Sequence, residues 1–97
     1  MQLGGISGYT HWQWLIIGHL WISDGLRRGG LGMLLLKTIE DASRERGCIA
    51  AWLDTYSFQS KPFYSAQGYV QFGELPDYPP GYKRHFLWKR LDSISTK

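Results

Sequence analysis

The chain has 97 residues, a formal net charge of +3 and one cysteine, with 43% hydrophobic and 20% charged residues. That length supports a single domain, residues 1–97, with one modest core. This composition excludes a disordered chain, Cys48 alone excludes an intrachain disulfide, and no apolar run reaches the ~18–20 residues that span a bilayer.

The opening "MQLGGISGYT" lacks a charged segment and an apolar segment, so it reads as no signal peptide. With a single thiol, a cytoplasmic location is expected. No basic run marks a nucleic-acid arm, so neither nucleic acid nor a membrane is expected as a partner. Residues 3–12, "LGGISGYTHW", mix β formers with glycine. Residues 14–22, "WLIIGHLWI", form a nearly continuous apolar run, short and bounded by turn residues, which predicts a buried central strand. The two pair as a hairpin around Gln13. Gly18 within the second strand marks a bulge or a close approach of ligand or backbone.

"SDGL", residues 23–26, is a turn. A helical pattern runs from about Gly30 to Arg46. Leu31, Leu34, Leu35, Thr38, Ile39 and Ala42 are expected on its buried face. Lys37, Glu40, Asp41, Arg44 and Glu45 are expected mostly outside. Gly47 suits a left-handed cap. "CIAAWLD", 48–54, reads as another buried strand, although its alanines also allow a helix. Residues 60–68, "SKPFYSAQG", read as a short helix with Ser60 as cap, Pro62 in its first turn and Gly68 as stop. "YVQFGEL" (69–75) alternates as a strand, "PDYPPGY" (76–82) is a turn-rich loop, and "KRHFLWKRL" (83–91) is a last strand antiparallel to the previous one. The order gives a mixed α/β (α+β) sheet with helices packed on it.

"LRRGGLGMLL", residues 26–35, puts two arginines and three glycines at the mouth of a helix. Glycines are poor helix formers, and cations at the positive end oppose the macrodipole. A bound anion resolves both. The first backbone amides of a helix have no partner within it, glycines let an anion approach, and Arg27 and Arg28 add charge-assisted bonds. The stretch is neither a Walker A loop nor a dinucleotide fingerprint. Taken alone it is equally a flexible loop with two exposed arginines.

Its setting adds to this. Arg27-x-x-Gly30-x-Gly32, after a buried strand and opening an amphipathic helix, resembles the acetyl-CoA signature of the GCN5-related N-acetyltransferase (GNAT) superfamily. "FYSAQGY", residues 63–69, resembles that superfamily's "FYEKLGF" element. Residues 8–22 and 53–91 look like one bacterial branch of it. The resemblance implies the acyl-CoA N-acyltransferase fold and acetyl-CoA as co-substrate, with no metal. It implies that the amides around Arg28, Gly29, Gly30, Leu31, Gly32 and Met33 hold the CoA pyrophosphate. Leu20, Trp21 and Ile22 would hydrogen-bond the pantetheine arm like an added strand. Tyr64 matches the tyrosine that donates a proton to the departing thiolate, and it equally suits plain packing beside Phe63 on the short helix; Phe63 is implied on the cofactor side. Many members carry an asparagine near Ser57; Ser57 or Ser60 could take part of its work.

The resemblance also implies that the usual first strand, two helices and second strand are lacking, which leaves a sheet edge uncovered. A homodimer covering that edge is the expectation; a separate partner and a shortened product with lost catalysis are the alternatives. The function implied is acetyl transfer to a primary amine by direct attack. Its rival is a non-catalytic, CoA-binding or dimeric structural module of the same descent. No general base is identifiable. His19 is either a base or a packed histidine, and Asp54 either a base or a turn residue. His11 and His85 read as surface or strand positions, Asp24 as a turn residue, and Cys48 as inert.

Overall fold

The computed structural model describes residues 4–22, 30–56 and 61–92. Its elements are β1 (Gly4–His11), β2 (Trp14–Ile22), α1 (Leu31–Glu45), β3 (Ala50–Tyr56), α2 (Lys61–Ala66), β4 (Val70–Pro76) and β5 (Lys83–Arg90). The strands form one sheet in the order β1-β2-β3-β5-β4. Only the β2–β3 pair is parallel.

The hairpin turns on Trp12 and Gln13, whose φ angles of 51° and 65° are the paired positive values of a tight two-residue turn. Ile49 N–H donates to the Gln13 carbonyl (2.7 Å), which fastens the turn beside the start of β3. Along the hairpin, Ser7 faces His19 while Gly8 faces Ile17. Gly18 is therefore the extra residue of a bulge. A Cβ on Gly18 would come no nearer than 3.9 Å to the Ser7 backbone, so the bulge, and not a close approach, accounts for it. The close approach lies across the ladder at Gly8, where a Cβ would stand 2.6 Å from the Ile16 carbonyl oxygen.

From β2 the chain crosses through α1 into the parallel β3. The helix ends as the sequence predicts. Gly47 adopts φ 88°, its N–H donates to the Arg44 carbonyl (2.9 Å), and Cys48 N–H donates to the Ser43 carbonyl (2.9 Å). These two bonds satisfy carbonyls left over at the helix end. The final strand β5 inserts between β3 and β4 and is antiparallel to both.

Side chains alternate across the sheet, so it has two distinct faces. Leu15, Ile17, Leu53 and Leu87 point to the side on which Leu36 of α1 and Tyr64 of α2 pack. Burial of each such leucine contributes about 2–3 kcal/mol. The other face carries Trp14, Trp52, Phe72, Phe86 and Trp88, which with Arg90 line a shallow groove of about 580 Å³.

α1 is rotated from the expected phase. Leu34 is 59% exposed, and Thr38 and Ala42 are exposed as well. The buried positions are Leu36, Glu40 and Ser43, with Leu35 and Ile39 half-buried beside them. Glu40, expected outside, is only 4% exposed because two donors from the sheet side meet its carboxylate, as described below.

Candidate active site at the parting of β2 and β3

The parallel ladder between β2 and β3 runs from Trp14↔Ala50 to Ile17↔Leu53 and ends there, although β2 continues to Ile22 and β3 to Tyr56. The bulge at Gly18 falls at that end. Beyond it, β2 still pairs with β1 on one side, Leu20 with Ile6, Trp21 with Gly5 and Ile22 with Gly4. On the other side these residues face β3 without a ladder, which leaves a gap between two parallel strands.

Both strands point their carboxyl ends at this gap, and each is followed by a helix. α1 returns along β1 and β2 to deliver the chain to the start of β3, so its N-terminus lies toward the open end. Gly30 caps it in the left-handed region (φ 80°, ψ 4°), with no side-chain cap bond. Leu34 N–H donates to the Gly30 carbonyl (3.0 Å) as the ladder of the helix begins. The amides of Leu31, Gly32 and Met33 therefore have no partner within the helix. No acidic residue occupies the first turn, so no side chain of the helix's own first turn offsets the positive end of the dipole. Met33 is half exposed, and Leu31 and Gly32 are partly buried. Arg27, Arg28, Gly29, Ser57, Ser60 and Asp24 lie outside the described residues, as do the side chains of His19, Trp21 and Ile22.

α2 follows β3 and carries Phe63 and Tyr64. Tyr64 is 6% exposed. Its ring meets Phe63 edge-on at 5.1 Å and Tyr69 edge-on at 5.8 Å. Burial, and then the negative charge of Asp54, push its phenol up to about 12. The hydroxyl is therefore protonated at neutral pH, and it is a weaker acid than a free tyrosine.

Asp54 is a strand residue of β3 and not a turn residue. It pairs with the Arg84 guanidinium, which lies 4.7 Å over the Tyr78 ring in the β4–β5 loop. His85 is buried on β5, opposite Thr55 of β3, with Nδ1 3.4 Å from the Glu74 carboxylate and no hydrogen bond between them. His11 is exposed and stacks on Trp12 at 4.7 Å. Cys48 is a free, buried thiol. Among the described residues no group of three or more His, Cys, Asp or Glu could hold a metal, and no helix is long and apolar enough to cross a membrane.

One cluster escapes sequence reasoning. The Glu40 carboxylate accepts from the Tyr69 hydroxyl (2.7 Å) and from Lys89 Nζ (3.0 and 3.3 Å). The residues come from α1, the turn after α2, and β5. No spacing in the sequence announces them; the only local hint is that Tyr69 and Tyr64 bracket the Gly68 stop.

Comparison with known proteins agrees with this geometry. Residues 2–69 match the acetyltransferase (GNAT) family. The blasticidin-S acetyltransferase of Streptomyces morookaense is 43% identical over 89 residues, which are 91% of this chain and 65% of that protein. The crystal structure of an acetyltransferase from Bacillus cereus ATCC 14579 is 39% identical with a TM-score of 0.87, over 91% of this chain and 63% of that one. An aminoglycoside 6'-N-acetyltransferase complexed with coenzyme A shares the fold at a TM-score of 0.85 and 16% identity, over 97% of this chain and 69% of that one. The chain thus spans slightly under two thirds of the first two relatives. The parted parallel strands, the glycine-capped helix beside them and the matched residues agree, and the chain belongs to the GNAT acetyltransferase family.

Proposed function

We propose that the protein transfers the acetyl group of acetyl-CoA directly to a primary amine of a small molecule. The observation that carries this reading is the parting of β2 from β3 beside the unpartnered amide end of α1. Names of relatives support it: one acetylates blasticidin S, and another of the same fold is an aminoglycoside acetyltransferase seen with coenzyme A.

The residues present fit the co-substrate. Its pyrophosphate needs donors and positive potential, which the amides of Leu31, Gly32 and Met33 supply at a helix end free of acidic side chains. Gly30 admits an anion to that end, and Gly29, Arg27 and Arg28 precede it in sequence. The pantetheine arm is a chain of amides, and the free edge of β2 at Leu20, Trp21 and Ile22 is suited to pair with it. Phe63 lies on α2, which follows β3, and Ser57 and Ser60 precede α2 in sequence.

In the reaction the amine nitrogen forms a bond to the thioester carbonyl carbon and the C–S bond breaks. The nitrogen gives up a proton, and the sulfur leaves as a thiolate that gains one. Tyr64 is the donor in this reading. A phenol near 12 facing a thiol near ~8.5 makes full transfer uphill by about 5 kcal/mol. The phenol therefore stabilises the developing thiolate by donating a hydrogen bond, and where its proton passes to sulfur, the proton given up by the amine nitrogen replaces it through solvent, so that Tyr64 ends the cycle protonated.

The core position of Tyr64, between Phe63 and Tyr69, favours a second reading: a CoA-binding domain in which this tyrosine only packs. Tyr64→Phe separates the two. Under the proposal, turnover with acetyl-CoA and a panel of primary amines falls about 10²-fold or more, while acetyl-CoA affinity is retained. Unchanged turnover would remove Tyr64 from the mechanism.

A further inference from the structure

α2 has six residues, too few to hold its own shape or direction in water. Its orientation must come from contacts. At its end Gly68 takes φ 96°, Gly68 N–H donates to the Ser65 carbonyl (3.1 Å), and Tyr69 N–H donates to the Tyr64 carbonyl (3.0 Å). This is the double-bonded cap seen also at the end of α1. It places a characteristic side-chain contact between the residue just past the cap and the residue five before it. Here that contact is Tyr69 on Tyr64, ring against ring at 5.8 Å. Wherever the Tyr69 ring is held, Tyr64 is held with it.

Tyr69 is held at its far end. Its hydroxyl donates to Glu40 Oε2, and the same carboxylate receives Lys89 Nζ. Lys89 reaches it from β5 with its ammonium 5.5 Å above the Tyr69 ring and its Cε 3.7 Å from where a Gly68 Cβ would lie. Both carboxylate oxygens are thus occupied, and the anchor sits in the middle of α1, the helix whose other end carries the glycine cap.

We propose that Glu40 and Tyr69 are positioning residues for acetyl transfer. Glu40, fixed by Lys89, holds the Tyr69 hydroxyl, and Tyr69 through the α2 cap sets the place of Tyr64 beside the gap. The inference rests on Tyr64 being the proton donor. It adds that the proton donor and the cofactor helix are joined by one buried charge cluster, so that α1 locates both Tyr64 and the CoA pyrophosphate.

The test uses the whole chain in two variants that keep their shape. Tyr69→Phe keeps the ring contact and removes the hydroxyl. Glu40→Gln keeps the side-chain volume and removes the charge. The chain is labelled with ¹³Cζ-tyrosine, and the Tyr64 signal is assigned by its loss in Tyr64→Phe. In both variants the Tyr64 signal is expected to shift and broaden at neutral pH, where the chain is folded, as water gains access to the ring. An unchanged Tyr64 signal in folded Tyr69→Phe, or in folded Glu40→Gln should the first fail to fold, overturns the proposal.

Turnover with acetyl-CoA and the amine panel supplies a second arm. Tyr69→Phe should lower kcat about 10- to 100-fold and leave KM for acetyl-CoA within about twofold. In a Tyr64→Phe background it should add no further loss, because both changes act through the same hydroxyl. An equal further loss in that background overturns the proposal. If Tyr64→Phe alone keeps full turnover, the donor reading fails, and the tyrosine signal still decides whether Glu40 and Tyr69 place Tyr64.

Discussion

Gly30 offers a perturbation whose two consequences separate. Its φ of 80° and ψ of 4° lie in the left-handed region, and among the described residues none lies within 4 Å of a Cβ built on it. Gly30→Ala therefore adds no clash, and its whole effect on stability is the backbone cost of a left-handed L-residue, about 1–2 kcal/mol. For a domain of this size that is a fall in Tm of about 5–15 °C. Asparagine tolerates the left-handed region better, so Gly30→Asn should restore much of that loss. Binding behaves otherwise. The open space at Gly30 is the approach to the amides of Leu31, Gly32 and Met33, and a side chain there obstructs an anion whatever its φ preference. Both variants should weaken acetyl-CoA by about tenfold or more, which is about 1.4 kcal/mol. Calorimetric unfolding and acetyl-CoA titration on three proteins decide it. An unchanged Tm in Gly30→Ala would refute the backbone argument. Gly30→Asn binding acetyl-CoA as tightly as the parent would show that the glycine serves φ alone.

At Gly8 a Cβ would stand 2.6 Å from the Ile16 carbonyl and 3.3 Å from Ile39 Cδ1. Gly8→Ala must push β1 away from β2, with a smaller shift of the Ile39 side chain, and urea unfolding should show a loss of about 1–3 kcal/mol; an unchanged midpoint would show that the strands separate freely there. The alkaline limb tests the buried phenols. Burial and the Glu40 carboxylate raise Tyr69 well above the ordinary tyrosine value, and Tyr64 rises to about 12. Both contributions are fully present below the unfolded value near ~10 and are lost as pH rises above it, because the unfolded chain then sheds protons that the native state keeps. Stability should fall above about pH 10 with a slope approaching ~2.7 kcal/mol per pH unit, and Tyr69→Phe should roughly halve it. A flat profile to about pH 11 would mean that the phenols are hydrated.

The elements of this fold were legible in sequence wherever a local signal carried them. The strands read from apolar runs, and Gly47 and Gly68 read as helix stops because only a left-handed residue closes those caps. Gly30 read as a helix mouth because glycines ahead of an amphipathic run let an anion reach the first amides. The face of α1 did not read correctly. "LGMLLL" offers leucine at nearly every phase, so periodicity fixed the helix without fixing its rotation, and the sheet chose Leu36 over Leu34. Glu40 looked like a solvent residue because its donors, Tyr69 and Lys89, stand 29 and 49 positions away. Asp54 looked like a turn residue because its partner Arg84 arrives only when β5 inserts beside β3. In each case the deciding interaction is between elements, and a single sequence states residues but not which elements meet.

The central claim is that the gap between β2 and β3, with the amide end of α1, binds acetyl-CoA. The most direct measurement is calorimetric titration of the 97-residue chain with acetyl-CoA. The account predicts saturable binding of one equivalent per chain, weakened by added pyrophosphate, which competes for the helix end. A folded protein that takes up no acetyl-CoA, or that binds it without regard to pyrophosphate, would contradict it.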